Sequence, residues 1–331
     1  MNDSSFTLSE KKRLLASLYR DTVPLRESPI QHGYRNKVDI ITSTQGIGLK
    51  QPGSWDVVVD TTHIPLANNV INAALPLIRE WAKTVPLYDL QAKTGFLQLI
   101  SIRGENDQLQ VTLTTRSNEY AEYIQRLYEL LRPTSLYWTT TEQTGGSIGE
   151  HIQHIYGQKH IRLRVADKYF FIDPYSFFQA NTQAAALAIN AMRPFVHGRV
   201  VDMYCGVGTI GLSLSDDVFG VDIVKQAIEL AKKNAQGTSA RFVCADAQRF
   251  LINFSPDTVI VDPPRTGLQQ SVFALVRAAP KTIIYLSCNP QTQVRDLALL
   301  SSRYTRVHTE AFDFFPGTHH VEVLVVLRRK D

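Results

Sequence analysis

Ser287-Cys288-Asn289-Pro290 closes the apolar run KTIIYL, so a thiol stands where a strand ends and a proline opens a helix. The thiolate is the reactive form of cysteine, and a helix N-terminus favours it, so Cys288 suits a nucleophile. A lone cysteine is more often a small buried hydrophobe. That inert role is expected of Cys205, inside a glycine-rich loop, and of Cys244, which closes an apolar strand. Glu322 opens the apolar run VEVLVVLR, close in sequence to Phe312, Phe314 and Phe315. Most glutamates are solvated, but desolvation by aromatics raises a carboxyl's pKa and fits it for general-base work. His319 and His320 have metal-ligand chemistry, yet no third spaced ligand joins them, and no metal is expected.

Two more motifs supply ligand-binding chemistry. Asp202-Met203-Tyr204-Cys205-Gly206-Val207-Gly208-Thr209-Ile210-Gly211 sits where a strand turns into a helix. Gly206 and Gly208 let the backbone pass close to a ligand there. The next strand ends in Asp222, an acid placed to take both hydroxyls of a ribose. The spacing of Gly206, Gly208 and Gly211 also meets the dinucleotide fingerprint. A dinucleotide, S-adenosylmethionine and plain strand-on-helix packing therefore all remain open on these residues alone. Asp262-Pro263-Pro264-Arg265 follows the strand DTVIV. Two prolines stop the ladder and hold a rigid loop that presents the Asp262 carboxylate and the Arg265 guanidinium.

The elements needed to position these groups can be read from the pattern. From Val200, five short apolar strands (RVVDMY, DVFGVD, ARFVC, DTVIVD and KTIIYLS) alternate with helical stretches, the mark of a parallel, doubly wound sheet. Such sheets bind ligands at the carboxyl ends of their strands, where Gly206, Asp222, Asp262 and Cys288 all fall. The pair YTRVHTEAF and VEVLVVLR has no crossover helix between its members, so one of them should run antiparallel. Upstream, strands starting near Tyr34, Gly46, Asp56, Gly95, Gln108 and Ser135 and helices near 68–83 and 118–131 predict an α+β domain with a mostly antiparallel sheet. Pro76 is expected to kink the first of those helices, and Thr144–Ser147 to form a loop. Thr7 and Glu10 form a capping box ahead of an N-terminal helix. The resulting division is 1–33, an N-terminal helical segment; 34–172, a central α+β domain; and 173–331, an α/β domain.

Composition sets wide bounds. A chain of 331 residues with 44% apolar residues can form two domains with separate cores. The net charge of +4 permits a nucleic-acid partner without demanding one. No apolar run approaches the ~20 residues that span a membrane. The start MNDSSFTLSEKKRLL resembles neither a signal nor a transit peptide, so a cytoplasmic location follows by default.

Taken together, YRNK at Tyr34, SFFQAN at Ser176, DMYCGVGTIGL at Asp202, DPPRTGL at Asp262, SCNPQTQVRDL at Ser287 and FPGTHHVE at Phe315 resemble the RNA uracil-5 methyltransferases. The resemblance runs from Gly33 onward, and six motifs in one order make it specific. It implies a Rossmann-like class I S-adenosylmethionine methyltransferase fold behind an RNA-binding α+β domain, with S-adenosyl-L-methionine as cofactor. It implies that Cys288 adds to carbon 6 of a uracil and that Glu322 removes the carbon 5 proton. It assigns cofactor contacts to Tyr204, Thr209, Asp222 and Asp262, and places Gln179 at the junction of cofactor and target base. A target base must leave its stack to react, at a cost of a few kcal/mol that is least in a strained loop. Arg35, Lys37 and Arg265 are therefore the candidates for RNA contact, with a second basic stretch at Lys159, His160, Arg162 and Arg164 near Tyr169, Phe170 and Phe171. The expected partner is a tRNA or rRNA loop, with no membrane and a monomeric protein.

Two departures from the family stand out. Many relatives carry an N-terminal cysteine cluster holding an iron–sulfur centre, but this chain has no cysteine before Cys205 and has Thr61, Thr62, His63 and Ile64 where the last would fall. No cluster is expected. The ~30 residues before YRNK are also too few for the extra RNA-binding barrel of some relatives. Alternative readings are a methyltransferase for another RNA base or for protein, or an RNA-folding protein with vestigial catalysis.

Overall fold

The computed structural model describes residues 6–54, 56–117, 121–142, 149, 152–248, 250 and 255–331. The loop expected at Thr144–Ser147 lies outside them. Thr7 caps helix α1 (Leu8–Tyr19): its hydroxyl accepts from the Glu10 amide at 3.3 Å, and the Glu10 carboxylate accepts from the Thr7 amide at 2.7 Å. Strand β1 (Leu25–Arg26) follows. The chain divides into two compact units, one of Met1–Gln31, Arg164–Phe171 and Tyr175–Asp331, the other of His32–Leu163 and Ile172–Pro174.

The second of these contains β2 (Lys37–Ser43), β3 (Gly46–Lys50), β4 (Val58–Asp60), α2 (Asn69–Ala82), β5 (Leu97–Glu105), β6 (Gln108–Thr115), α3 (Ala121–Leu131), β7 (Ser135–Thr140) and β8 (Ile152–Gly157). Its sheet order is β4-β3-β2-β5-β6-β7-β8, with every neighbour antiparallel except β6 and β7. Helix α2 continues through Pro76 and is capped by Asn68, whose side chain accepts from the Ile71 amide at 3.1 Å. The apolar stripe Ile71, Leu75 and Ile78 shares a core with Ile40, Ile100, Ile102, Val111 and Leu113, because strand alternation turns these to the helical side. Where relatives would place a cluster cysteine, hydrogen bonds do the anchoring. Arg79 joins Asp60 at 2.8 Å and the Thr61 carbonyl at 2.9 Å, and Asn72 accepts from the Ile64 amide at 2.9 Å. These donors offer no thiolate, so the segment does not fit an iron–sulfur centre.

Strands β9 (Ile161–Val165) and β10 (Lys168–Ile172) form a two-stranded sheet. Then come α4 (Thr182–Met192), β11 (Val200–Met203), α5 (Thr209–Leu214), β12 (Val218–Asp222), α6 (Lys225–Asn234), β13 (Arg241–Cys244), β14 (Thr258–Val261), α7 (Ser271–Ala278), β15 (Thr282–Ser287), α8 (Pro290–Leu300), β16 (Tyr304–Phe312) and β17 (Glu322–Arg329). Among the described residues they build, with β1, an eight-stranded sheet in the order β1-β16-β17-β15-β14-β11-β12-β13. Strands β11 to β15 are mutually parallel, and β17 runs antiparallel to both β15 and β16. Continuous apolar stretches such as Thr258–Val261 and Thr282–Ser287 are buried along their whole length, as covering on both faces requires. The strand order reverses between β11 and β14, the point where such sheets open a crevice.

Residues 1–31 belong to this sheet's unit. Strand β1 pairs with β16, and Tyr19 donates a short hydrogen bond to Gln293 of α8. Lys11, fully buried, meets the Asp313 carboxylate at 2.6 Å and donates to the Phe315 carbonyl at 3.1 Å.

Candidate active site

Five strand ends meet at one edge of the eight-stranded sheet. The turn after β11 carries Tyr204 to Gly208, β12 ends in Asp222, β14 leads into Asp262, and β15 into Cys288. Because β17 is antiparallel, its first residue, Glu322, lies at that same edge. Ser287 pairs with Val323 in the ladder, so Cys288 and Glu322 occupy the next facing positions. An open cleft of about 520 Å³ lies here, lined by Phe177, Gln179, Tyr204, Gly206, Thr209 and Asp262 among others.

The glycine turn is built for close approach. Tyr204 and Gly206 sit in the left-handed region, at φ 66° and 53°, and a Cβ on Gly206 would meet nothing within 4 Å. That space is open for a ligand. Gly208 is different: it also has positive φ, but a Cβ would press on Leu212 at 2.9 Å, so its role is packing as well as conformation. Asp222 accepts from the Gly206 amide at 2.9 Å and from the Val224 amide at 2.9 Å, which fixes the turn against β12. Thr209 opens α5, and the Tyr204 hydroxyl pairs with Ser271 at 2.7 Å. Asp202 accepts from the Gly211 amide at 2.9 Å, and its burial pushes the carboxyl up to about 8. Asn234 was not singled out in the sequence, yet its side chain donates to the Val207 carbonyl at 2.9 Å and accepts from the Phe171 amide at 2.8 Å.

Cys288 is half-buried beside the N-cap Asn289 of α8. The expected thiolate preference is overturned. Burial, reinforced by the negative charges of Glu322 and Asp262, pushes the thiol up to about 11, and Arg265 offsets this only partly. Glu322 is 5% exposed, and burial together with the Asp262 charge holds its carboxyl well above the ordinary range. Burial pushes Asp262 up to about 7. The three groups therefore form a desolvated acid cluster with one cation, Arg265, at its exposed side. Cys205 is buried as expected, but Cys244 is exposed, because its strand β13 lies at the sheet edge.

Helix α8 holds this cluster in place. Asp296, fully buried, accepts from the Leu268 amide at 2.7 Å and from the Tyr285 hydroxyl at 2.9 Å, tying the Asp262–Leu268 loop to β15. Asn289 donates to the Arg265 carbonyl at 3.0 Å. The Gln293 amide donates to the carbonyls of Tyr285 and Val323, both at 3.0 Å, bridging the two strands that bear the thiol and the glutamate. In the SFFQAN motif, Phe178 is buried against Phe170, while Phe177 is 71% exposed and Gln179 lines the cleft. Asn181 caps α4 and donates to the Phe314 carbonyl at 3.0 Å.

The expected RNA contacts divide. Arg265 is exposed, does not line the cleft, acts electrostatically on Cys288 and Glu322, and has its guanidinium 3.4 Å from His320. Arg35 and Lys37 belong to the antiparallel unit, both half-buried, with Lys37 at 3.6 Å from Asp39. In the second basic stretch Arg162 and Arg164 alternate outward along β9, and Arg164 lies over Tyr169. Phe170 is buried and so offers no stacking face. Among the described residues no group of His, Cys, Asp and Glu could hold a metal ion, and no helix is long and apolar enough to cross a membrane.

Comparison with known proteins gives this site a family. Residues 239–330 match the family model described as tRNA (Uracil-5-)-methyltransferase, and residues 177–284 match the methyltransferase small domain. The chain is 32% identical to the tRNA (uracil(54)-C(5))-methyltransferase of Pyrococcus horikoshii over 96% of its length and 79% of the relative's. It is likewise 32% identical to the Pyrococcus furiosus enzyme of that name, covering 97% of this chain and 80% of the relative. The crystal structure of Pyrococcus abyssi tRNA (uracil-54, C5)-methyltransferase in complex with S-adenosyl-L-homocysteine superposes with a TM-score of 0.86 at 30% identity, covering 97% of this chain and 82% of that one. With this identity and this fold shared over nearly its whole length, the chain belongs to the tRNA (uracil-5-)-methyltransferase family.

Proposed function

We propose that this protein methylates carbon 5 of a uridine in tRNA, using Cys288 as covalent nucleophile and Glu322 as base. The tRNA substrate is the one printed for the Pyrococcus relatives. The observation that carries the chemistry is the facing of Cys288 and Glu322 across the β15–β17 ladder, with the cleft-lining Asp262 close enough to act on both.

S-adenosylmethionine, when bound, supplies an electrophilic sulfonium methyl group. Gly206 leaves room for it, Asp222 suits its ribose, and Tyr204, Thr209, Asp262 and Gln179 line the cleft around it, while Gly208 shapes the turn through its positive φ and tight packing. Carbon 5 of uracil is a weak nucleophile until sulfur adds to carbon 6 and leaves an enolate. Cys288 makes that bond and releases its thiol proton to water, to which the half-buried sulfur is partly open, so that Glu322 remains a free carboxylate for the later step. After methylation carbon 5 still carries its hydrogen. Glu322 takes it as a proton, the electron pair restores the 5,6 double bond, and the Cys288 sulfur leaves as thiolate. A desolvated carboxylate is a stronger base than a solvated one, so burial of Glu322 serves the removal step. The exposed ring of Phe177 lines the cleft where a flipped base would enter, Arg265 supplies a cation beside Cys288 and Glu322, and Arg35 and Lys37 add cations on the antiparallel unit.

Incubation with tRNA containing 5-fluorouridine tests this, because fluorine at carbon 5 cannot leave as a proton. The expected result is a protein–RNA adduct that survives denaturing electrophoresis and is lost in Cys288→Ala, while Glu322→Gln accumulates the adduct on ordinary tRNA. Near-normal methylation by Cys288→Ala would remove the covalent scheme and favour chemistry on another base.

A further inference from the structure

Two reacting groups carried on different strands need a fixed spacing, because a small misplacement costs rate heavily. The β15–β17 ladder ends at Ser287–Val323, one position short of Cys288 and Glu322. Cys288 is held from the α8 side: the Asn289 amide donates to Ser287 Oγ at 3.1 Å, and Asn289 caps the helix. Glu322 pairs with Phe312 of β16, on the far side of β17 from β15. Past the end of the ladder, the two groups are related through side chains.

We propose that Gln293, steadied by Tyr19, sets the spacing of Cys288 and Glu322 and thereby governs removal of the carbon 5 proton, a positioning role that rests on the covalent reading above. Gln293 lies in the first turn of α8, and its backbone N–H donates to the Asn289 carbonyl at 3.1 Å, so it moves with the turn that follows Cys288. Its side-chain nitrogen donates to the Tyr285 carbonyl of β15 and to the Val323 carbonyl of β17, each at 3.0 Å. Val323 directly follows Glu322, so the second bond grips the glutamate's own stretch of backbone. Gln293, Tyr285 and Val323 are all fully buried, and in so dry a place each bond is strengthened.

The amide has one orientation that serves both strands. A carbonyl only accepts, so the two facing carbonyls take both hydrogens of the amide nitrogen. The amide oxygen is turned away from them and accepts from the hydroxyl of Tyr19, the last residue of α1 and itself buried. Losing Gln293 affects the two reacting groups unequally. Cys288 keeps the Asn289–Ser287 bond and the bond from Asn289 to the Arg265 carbonyl, whereas Val323 loses its bond to α8. Sulfur addition and methyl transfer therefore survive, and proton removal suffers.

Rapid-quench methylation of an unmodified tRNA transcript by Gln293→Met tests this, since Met fills the space without the donor. A methylated protein–tRNA adduct is expected to build up and to decay about tenfold more slowly than in wild type, with first-turnover methyl transfer and kcat/KM for tRNA unchanged. Tyr19→Phe leaves the amide in place but unsteadied; the same adduct is expected there to a smaller extent, which carries the test should Gln293→Met not fold. Combining the two removes the unpaired hydroxyl, so the urea midpoint is expected to recover in part while slow adduct decay persists. Recovery of both together would mark a merely structural residue and overturn the proposal. So would a folded Gln293→Met without adduct, or one whose first turnover slows as much as its steady state. The 5-fluorouridine adduct separates the two readings: its absence in wild type sinks the covalent scheme, whereas its presence there with no slow adduct in Gln293→Met sinks the role of Gln293 alone.

Discussion

A thiol pushed up to about 11 is a reserve of nucleophile and not a standing one. At neutral pH the Cys288 thiol is protonated, and the desolvation of the site and the field of Asp262 that raise it also hold the Glu322 carboxyl above its ordinary range. Both groups act in their deprotonated forms, so both push activity in one direction: upward with pH. In a Cys244→Ser background, which removes the exposed thiol, alkylation of Cys288 by iodoacetamide is expected to climb about tenfold per pH unit from neutrality and to level only near 11. A plateau below pH 8 would show a thiolate already present at rest. The raised Glu322 carboxyl was legible in the sequence, from the aromatics beside it, but the raised thiol was not. The motif SCNP shows a helix start, which argues for a thiolate, but the opposing carboxylates come from elsewhere in the chain, Glu322 from the start of β17 and Asp262 from the loop after β14.

At the level of elements, the site hangs on α8. One face of this helix points Gln293 and Asp296 inward, and these two side chains tie β15, β17 and the Asp262 loop together. Asp296→Ala strips the Leu268 amide and the Tyr285 hydroxyl of their acceptor, and a buried unpaired donor costs about 1–3 kcal/mol. The expected outcome is a lower urea midpoint together with reduced methylation, with Asp296→Asn recovering part of both; an unchanged midpoint would show that the loop is held by other means. The parallel strands β11 to β15 were readable because short apolar runs alternate with helical stretches, and the antiparallel member of the last pair followed from the missing crossover. Other elements left no such trace. Strand β1 is two residues long, too short for any period, and β9 read as a basic stretch with Lys159 and His160 because its outward positions carry Arg162 and Arg164. Asn234 and Asp296 look like ordinary helix-surface residues until the turns they grip are in place.

For the whole molecule, the weightiest link is the buried pair Lys11–Asp313, because it joins the N-terminal helix to the FPGTHH segment that leads to Glu322. Removing one member of a buried ion pair leaves the other charge uncompensated, a loss of about 3–5 kcal/mol. Lys11→Met is expected to lower the thermal midpoint by many degrees and to reduce methylation, and Lys11→Met with Asp313→Leu to regain much of the stability. A double variant no more stable than the single one would show that the loss is not electrostatic.

The pairing of β1 with β16 has a consequence for how the protein is made. Arg26 and its partner Glu310 are 284 positions apart, and Lys11 and Asp313 are 302 apart. During synthesis the first helix must stay unpartnered, with its apolar stripe uncovered, until β16 has left the ribosome. The antiparallel unit, nearly contiguous from His32 to Leu163, can form in the meantime. Such late closure of long-range contacts makes folding slow, and it leaves the nascent N-terminus as the segment most in need of a chaperone.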